Sequence, residues 1–146
     1  MRTYIVLLLL LISYNINAQR SPRERVKAFK IAYITEQLDL TPQEAQKFWP
    51  IYNEHEENME KVNKQEKNLI RDLRQQSTSP DFTDSKAGEY LNDFITVEEK
   101  KASLRKQLIV SLKNIIPNKK ILTLIKAEAD FHKRLVQQLR ERRRGN

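Results

Sequence analysis

The sequence predicts an all-α protein with four helices. Charged residues make up 32% of the chain and only two residues are glycine, a composition typical of long solvated helices. No stretch of useful length alternates polar and apolar residues with the period of a strand. Two long helices joined by one short loop pack as a hairpin. We therefore expect an elongated, bent antiparallel α-hairpin with a short N-terminal helix and a C-terminal helix packed on it.

Residues 1–18 have the features of an export signal. Arg2 supplies a positive start, an apolar run follows, and a small-residue cleavage site ends at Ala18. The alternative is a membrane anchor, but an apolar run of about nine residues is well short of the roughly 20 that cross a bilayer. We expect cleavage after Ala18, a periplasmic location in a Gram-negative cell, and one domain over residues 19–146.

The first helix is predicted to begin after Ser21, a suitable N-cap, with Pro22 in its first turn. Asp39 and Leu40 are expected to end it. Its apolar positions, which should face the core, are Val26, Phe29, Ala32, Tyr33 and Leu38.

The start of the second helix carries the strongest local signal. Thr41 is a good N-cap and Pro42 suits the first helical position. Glu44 stands three residues after Thr41, which predicts a reciprocal capping box. The helix should run to about Gln76, with a kink near Trp49 because Pro50 removes one backbone hydrogen bond. Its predicted heptad seam consists of Phe48, Tyr52, His55, Met59, Val62, Glu66, Leu69 and Leu73.

Residues 77–81 form the clearest predicted loop, and the third helix should run from about Thr83 to Asn114. Pro117 is expected to open the fourth helix. The third helix has two adjacent apolar stripes, so we expect it to face more than one neighbour. The first stripe is Ala87, Tyr90, Phe94, Val97, Leu104 and Leu108, and the second is Leu91, Ile95, Ala102, Ile109 and Leu112.

The segment Leu40–Glu44 (LTPQE), at the start of a long charged helix in a small exported α-protein, resembles the LTxxQ motif of Spy/CpxP-type periplasmic stress proteins. Residues 25–62 are similar to a branch of that family described as sensors for extracytoplasmic-function sigma factors. The fifth position of the motif, which is glutamine in the family, is Glu44 in this chain, and the glutamine is one position earlier, at Gln43. At the place of the family's second motif, residues 115–119 keep only Pro117 and an apolar first residue.

The resemblance implies a non-enzymatic periplasmic protein that binds unfolded or envelope proteins without ATP, commonly as a cradle-shaped homodimer. The alternative is a sensor of envelope or metal stress that acts on a sigma-factor or sensor-kinase pathway through a membrane-bound regulator. Residues expected to be structural are Leu40, Thr41, Pro42, Glu44 and Pro117. Candidate client contacts are Arg25, Lys27, Lys30 and Trp49.

Catalysis is not expected, and neither is a cofactor. The sequence has no Gly-rich phosphate loop, no nucleophile elbow and no cysteine. The acidic run from Glu54 to Glu60 lies at solvated helix positions, so a solvated helix face is the favoured interpretation.

Metal binding is the minor hypothesis. His55 and Met59 are four residues apart on one helix, and Glu128 and His132 are four apart on another. Each pair projects from one helix face, and two facing pairs could offer N, S and O ligands. Because His55 and Met59 also fall on the predicted seam, packing is the favoured role and no metal is expected.

The aromatic residues near the capped turn are expected to pack there, with Trp49 either packed or exposed as part of a binding surface. The basic C-terminus, Arg140 to Arg144, carries enough charge to bind nucleic acid or anionic lipid. Export and the lack of interleaved aromatic residues argue against nucleic acid. A solubilising helix end is the favoured interpretation, and contact with a membrane surface is the alternative.

Overall fold

The computed structural model describes residues 21–145, and over that range it is all-helical with no strand. The four helices are α1 Pro22–Leu38, α2 Pro42–Gln76, α3 Asp84–Leu112 and α4 Asn118–Arg144. The predicted all-α class with four helices is therefore confirmed. The predicted export signal at residues 1–18 lies outside the described residues.

Side-chain caps begin the first three helices, and two of them are the predicted N-caps Ser21 and Thr41. Thr41 and Glu44 form a reciprocal capping box: the Glu44 N–H donates to Thr41 Oγ1 at 3.2 Å and the Thr41 N–H donates to Glu44 Oε2 at 2.8 Å. Ser21 and Glu24 form a second box at the start of α1. At the start of α3, Thr83 Oγ1 accepts from the Lys86 N–H at 3.3 Å. These side chains satisfy backbone donors that a helix N-terminus otherwise leaves unpaired.

Asp39 ends α1 in the left-handed backbone region, with φ 45° and ψ 55°. Within residues 21–145 it is the one non-glycine residue with a positive φ. Aspartate tolerates this conformation better than most residues. The backbone therefore leaves the helical conformation at the residue where the sequence predicted the end of the first helix.

The chain divides into two compact units by its internal contacts. The hairpin unit is Leu40–Leu122, with α2, α3 and the first turn of α4. The terminal unit contains α1 and the part of α4 from Thr123 onward. The prediction of one domain over residues 19–146 stays a prediction, as does the packing of α1 and α4 on the hairpin.

In the hairpin unit, α2 and α3 pack against each other in the predicted antiparallel arrangement. The intervening loop holds Phe82 against Tyr90, with ring centroids 6.1 Å apart. α2 continues through Pro50 as one helix, and the predicted kink near Trp49 stays a prediction. The buried apolar residues of this unit are Phe48, Tyr52, Val62, Val97, Leu108, Leu112, Ile116 and Ile121.

The burial of the predicted seam of α2 is graded along the helix. The first half of the seam is largely buried, from Phe48 to Val62. The loop-proximal positions Glu66, Leu69 and Leu73 are only half-buried. Because less apolar surface is removed from water there, the loop end of the hairpin contributes less to stability than the end near the capped turn.

In the terminal unit, the core consists of Ile34, Leu38, Leu124 and Ala127. Tyr33 contacts the Phe131 ring at a centroid distance of 6.0 Å. Phe29, which we expected to face the core, is instead 69% exposed. Ile34 is five positions further along the helix, and at 100° per residue this places the two about 140° apart around α1. Ile34 takes the buried face.

Taken together, the helices of residues 21–145 include none that is both long and apolar enough to cross a membrane.

Candidate functional site

The capped turn is tied to a distant part of the hairpin unit. Lys120 Nζ donates to Glu44 Oε2 at 2.8 Å, and both side chains are largely buried. Lys120 lies in the first turn of α4, where its N–H donates to the Pro117 carbonyl at 2.9 Å. The predicted structural residues Glu44 and Pro117 therefore belong to two helix starts that one ion pair connects.

This arrangement changes the acidity of Glu44. The hydrogen bond from Lys120 and the hydrogen bond from the Thr41 backbone both favour the ionised carboxylate, so they hold the pKa of Glu44 below its usual value of 4.5. Burial acts in the opposite direction but does not prevail. Glu44 is therefore charged at neutral pH and serves the helix start rather than proton transfer.

Trp49 lies in an aromatic cluster with Phe48 and Tyr52 on α2. Its ring meets Phe48 edge-on at 5.0 Å and Tyr52 edge-on at 5.8 Å, while Phe48 and Tyr52 stack at 5.3 Å. Phe48 and Tyr52 are fully buried, and Trp49 is half-buried. Of the two roles left open for Trp49, packing is the one for which the structure gives contacts.

A shallow groove of about 300 Å³ runs between α2 and α3. His55 forms part of its wall and is 9% exposed. The groove combines apolar side chains with one carboxylate, two amides and one hydroxyl, and it is open to solvent. Its lining residues are Ile51, Glu54, His55, Asn58, Leu104, Gln107, Leu108 and Ser111.

The four candidate metal ligands have different surroundings. His55 is buried and Met59 is half-buried on the α2 seam of the hairpin unit. Glu128 and His132 belong to the terminal unit, where Glu128 forms an ion pair with Lys30 at 3.7 Å and His132 is exposed. Residues 21–145 contain no group of three or more His, Asp or Glu side chains placed to hold a metal ion.

The candidate client contacts on α1 also differ. Arg25 and Lys27 are exposed. Lys30 is less accessible, since its side chain is 22% exposed and is paired with Glu128. Arg25 and Lys27 therefore remain available for contact, whereas a partner would have to compete with Glu128 for Lys30.

The hairpin unit exposes an apolar surface of α3 that we expected to face a neighbouring helix. Leu91 is 64% exposed and Ile95 is 57% exposed, four residues apart on one face of α3. Exposed Ala102 and half-buried Ile109 continue this face toward the C-terminus. These four residues, here named the α3 stripe, extend over about 27 Å of helix. The sequence predicted that α3 has a wide apolar surface. It did not predict that part of this surface is left exposed to solvent.

Charged residues border the α3 stripe. Lys101 Nζ contacts Glu98 Oε1 at 2.8 Å and, across the hairpin, Glu66 Oε1 at 2.8 Å. Hydrogen bonds from these two carboxylates raise the pKa of Lys101 above its usual 10.5. Glu98 lies on the line of the stripe between Ile95 and Ala102, whereas Glu99 and Lys106 lie beside it. The stripe thus has its large exposed apolar side chains at its N-terminal end, is interrupted by Glu98, and has a rim of both charge signs.

Comparison of the chain with protein-family models, with curated proteins and with solved structures gives no match.

Proposed function

We propose that the protein is a non-enzymatic binding protein that holds unfolded or envelope proteins on its hairpin unit without using ATP. The observation that carries this proposal is the exposure of Leu91 and Ile95 on one face of α3. Large apolar side chains that share a face and have a charged rim are typical of a surface that contacts other proteins.

The physical logic suits a client without a fixed shape. An open strip can accept short apolar segments of many sequences, because it makes no demand for a complementary pocket. Its mixed-sign rim can attract charged segments on either side of an apolar one and raise the rate of encounter. The periplasmic location, the homodimer and the Spy/CpxP relationship belong to this proposal and rest on the sequence resemblance.

The test is light scattering from a chemically denatured client diluted into buffer with and without the protein. No ATP is present, and a parallel sample contains chelator. We expect aggregation to be suppressed at near-equal stoichiometry with or without chelator. The variant Leu91→Gln/Ile95→Gln should suppress aggregation less at every ratio, because glutamine keeps the helix but removes the apolar surface.

The matched control is Leu122→Gln/Ile125→Gln, which replaces the same two residue types at exposed positions of α4. It should retain the wild-type suppression. A wild-type protein that fails to suppress aggregation at several-fold excess would exclude chaperoning as the main function and favour the dedicated sensor. Suppression that chelator abolishes would favour the metal-stress form of that sensor.

A further inference from the structure

Positive charge is concentrated in one of the two units. In the hairpin unit, residues 40–122 contain 14 basic and 13 acidic residues, so their charges nearly cancel. In the terminal unit, residues 21–39 and 123–146 contain 11 basic and six acidic residues. The excess positive charge of the described chain therefore belongs to the terminal unit.

Part of this charge forms a straight row on α4. Lys126, Lys133, Arg140 and Arg144 are all exposed and follow one another at intervals of seven, seven and four residues. Such intervals return to nearly the same helix face, so the four side chains lie along one line about 27 Å long. We name these four residues the basic row.

The packing of the terminal unit fixes the direction of the basic row. Leu124 and Ala127 of α4 are buried, and Phe131 contacts Tyr33. These residues lie away from the basic row, at roughly 115° to 175° around α4 from its mean direction. The packing of the core on one side of α4 therefore orients the basic row toward solvent.

Nearby carboxylates reduce the charge of the row only in part. Asp130 and Glu141 lie along one edge of it, and Glu141 accepts a hydrogen bond from Gln137 Nε2 at 3.3 Å. Glu128 faces α1, where it pairs with Lys30. Four cations with two flanking carboxylates leave the face with a net positive charge.

We propose that the basic row binds the surface of an anionic lipid bilayer. The partner that fits it is flat and negatively charged, because a straight row on a convex helix can touch a plane at all four positions at once. Lysine and arginine side chains near such a surface each strengthen binding, and the attraction falls off within a Debye length of about 8 Å at physiological salt. The line of the row includes no aromatic residue on which a nucleic-acid base could stack.

The contact is electrostatic rather than an insertion. Leu124 and Ala127 of α4 are buried in the core of the terminal unit, and the exposed Leu122 and Ile125 lie before the first cation of the row, so the row itself offers the bilayer charges and not an apolar face. Binding should therefore depend on salt and on the fraction of anionic lipid. Membrane binding by the basic row involves different residues from the α3 stripe, so it can be tested independently of the proposed client binding.

The test is sedimentation of the full chain with vesicles of phosphatidylcholine alone or of phosphatidylcholine with roughly 30% phosphatidylglycerol, whose negative surface potential attracts basic segments. We expect binding to the anionic vesicles that weakens steeply as salt rises. The variant Lys126→Gln/Lys133→Gln/Arg140→Gln/Arg144→Gln should lower the partition coefficient more than about tenfold. Any binding through residues 1–18 is shared by all variants, so the differences report on the row.

The matched control removes the same charge from exposed positions of the hairpin unit, as Lys64→Gln/Lys67→Gln/Lys106→Gln/Lys113→Gln. It should change the partition coefficient less than about threefold. If the partition coefficient falls equally in both variants, binding depends only on the net charge of the protein, and the proposal is overturned. Parallel samples contain polyglutamate or duplex DNA, and binding to either of these without binding to anionic vesicles would also overturn it. If circular dichroism shows that the fourfold variant is unfolded, Lys126→Gln/Lys133→Gln and the salt dependence of the wild type decide the question.

Discussion

Glu44 Oε2 accepts hydrogen bonds from two donors that are far apart in the sequence: the Thr41 backbone N–H at 2.8 Å and Lys120 Nζ at 2.8 Å. The first bond is half of a helix capping box, and the second connects α2 to the first turn of α4. One carboxylate therefore stabilises a local structure and a tertiary contact, and both depend on its negative charge.

This double role predicts an acid-sensitive contribution to stability. The pKa of Glu44 is lower in the folded chain than its usual value of 4.5, so its contribution is present above about pH 4.5 and is lost as the pH falls through the folded value. Glu44→Gln should lower the melting temperature at pH 7. The difference from wild type should shrink below about pH 4.5, as measured by circular dichroism across a pH series.

Lys120→Met provides the companion measurement. It should reproduce part of the loss at pH 7, and the double variant should lose less than the sum of the two single variants, because the side chains interact directly. Strict additivity would show that the ion pair contributes nothing to stability.

The cap itself predicts a second, separable effect. Thr41→Ala removes the oxygen that accepts the Glu44 N–H, so it should reduce the free energy of unfolding by on the order of 1 kcal/mol. The control is Thr96→Ala on the exposed face of α3, where the hydroxyl only donates back to the Asn92 carbonyl. That change should be neutral or slightly stabilising because alanine is the better helix former. Equal unfolding curves for Thr41→Ala and wild type would refute the role assigned to the cap.

Much of this fold is predictable because its helix boundaries are encoded locally. Thr41, Pro42 and Glu44 specify a helix start within four residues, and the structure confirms it. Ser21 with Glu24 carries the same signal, and this second box could have been identified from the sequence in the same way. Caps and prolines act over one helical turn, so no knowledge of the tertiary structure is needed to interpret them.

Contacts between distant segments could not be predicted in this way. The partners Glu44 and Lys120 are 76 residues apart, and nothing in the local sequence distinguishes Lys120 from Lys119. The spacing of the apolar residues identified the apolar positions of α3, but it did not predict which of them are buried. Leu91 and Ile95 are as apolar as the buried residues, yet they are exposed, and apolarity alone does not distinguish the two groups.

The ion pairs of Lys101 predict a contribution to the stability of the fold that is lost at alkaline pH. It joins Glu66 on α2 to Glu98 on its own helix, and its side chain is 15% exposed. Because its pKa is raised above 10.5 by these partners, its contribution is present at neutral pH and disappears as the pH rises through the folded value. Lys101→Met should cost on the order of 1 kcal/mol at pH 8 and progressively less above about pH 10.5.

Lys100→Met is the control for that measurement, since Lys100 is adjacent and exposed. In urea unfolding, Lys100→Met should change the free energy of unfolding by less than about 0.5 kcal/mol, both at pH 8 and above about pH 10.5. An equal effect of the two substitutions would mean that the cross-hairpin contact of Lys101 is not what stabilises the protein.

The aromatic cluster predicts a difference between two adjacent residues. Phe48 has no exposed surface and stacks on Tyr52, so Phe48→Ala should cost about 3–5 kcal/mol through lost burial and the cavity it leaves. Trp49 is half-buried, so Trp49→Ala should cost less despite the larger side chain. Urea unfolding followed by circular dichroism gives both values.

If Phe48→Ala fails to fold, Phe48→Leu replaces it, with an expected cost below about 1.5 kcal/mol because most of the buried volume is kept. Trp49 is the only tryptophan of the chain, so its fluorescence reports on the cluster itself in every variant that retains it. In Phe48→Leu the emission should move toward that of the unfolded chain, because the ring that meets Trp49 edge-on is gone. A cost for Trp49→Ala as large as that for Phe48→Ala would show that Trp49 belongs to the core and leaves little surface for a partner.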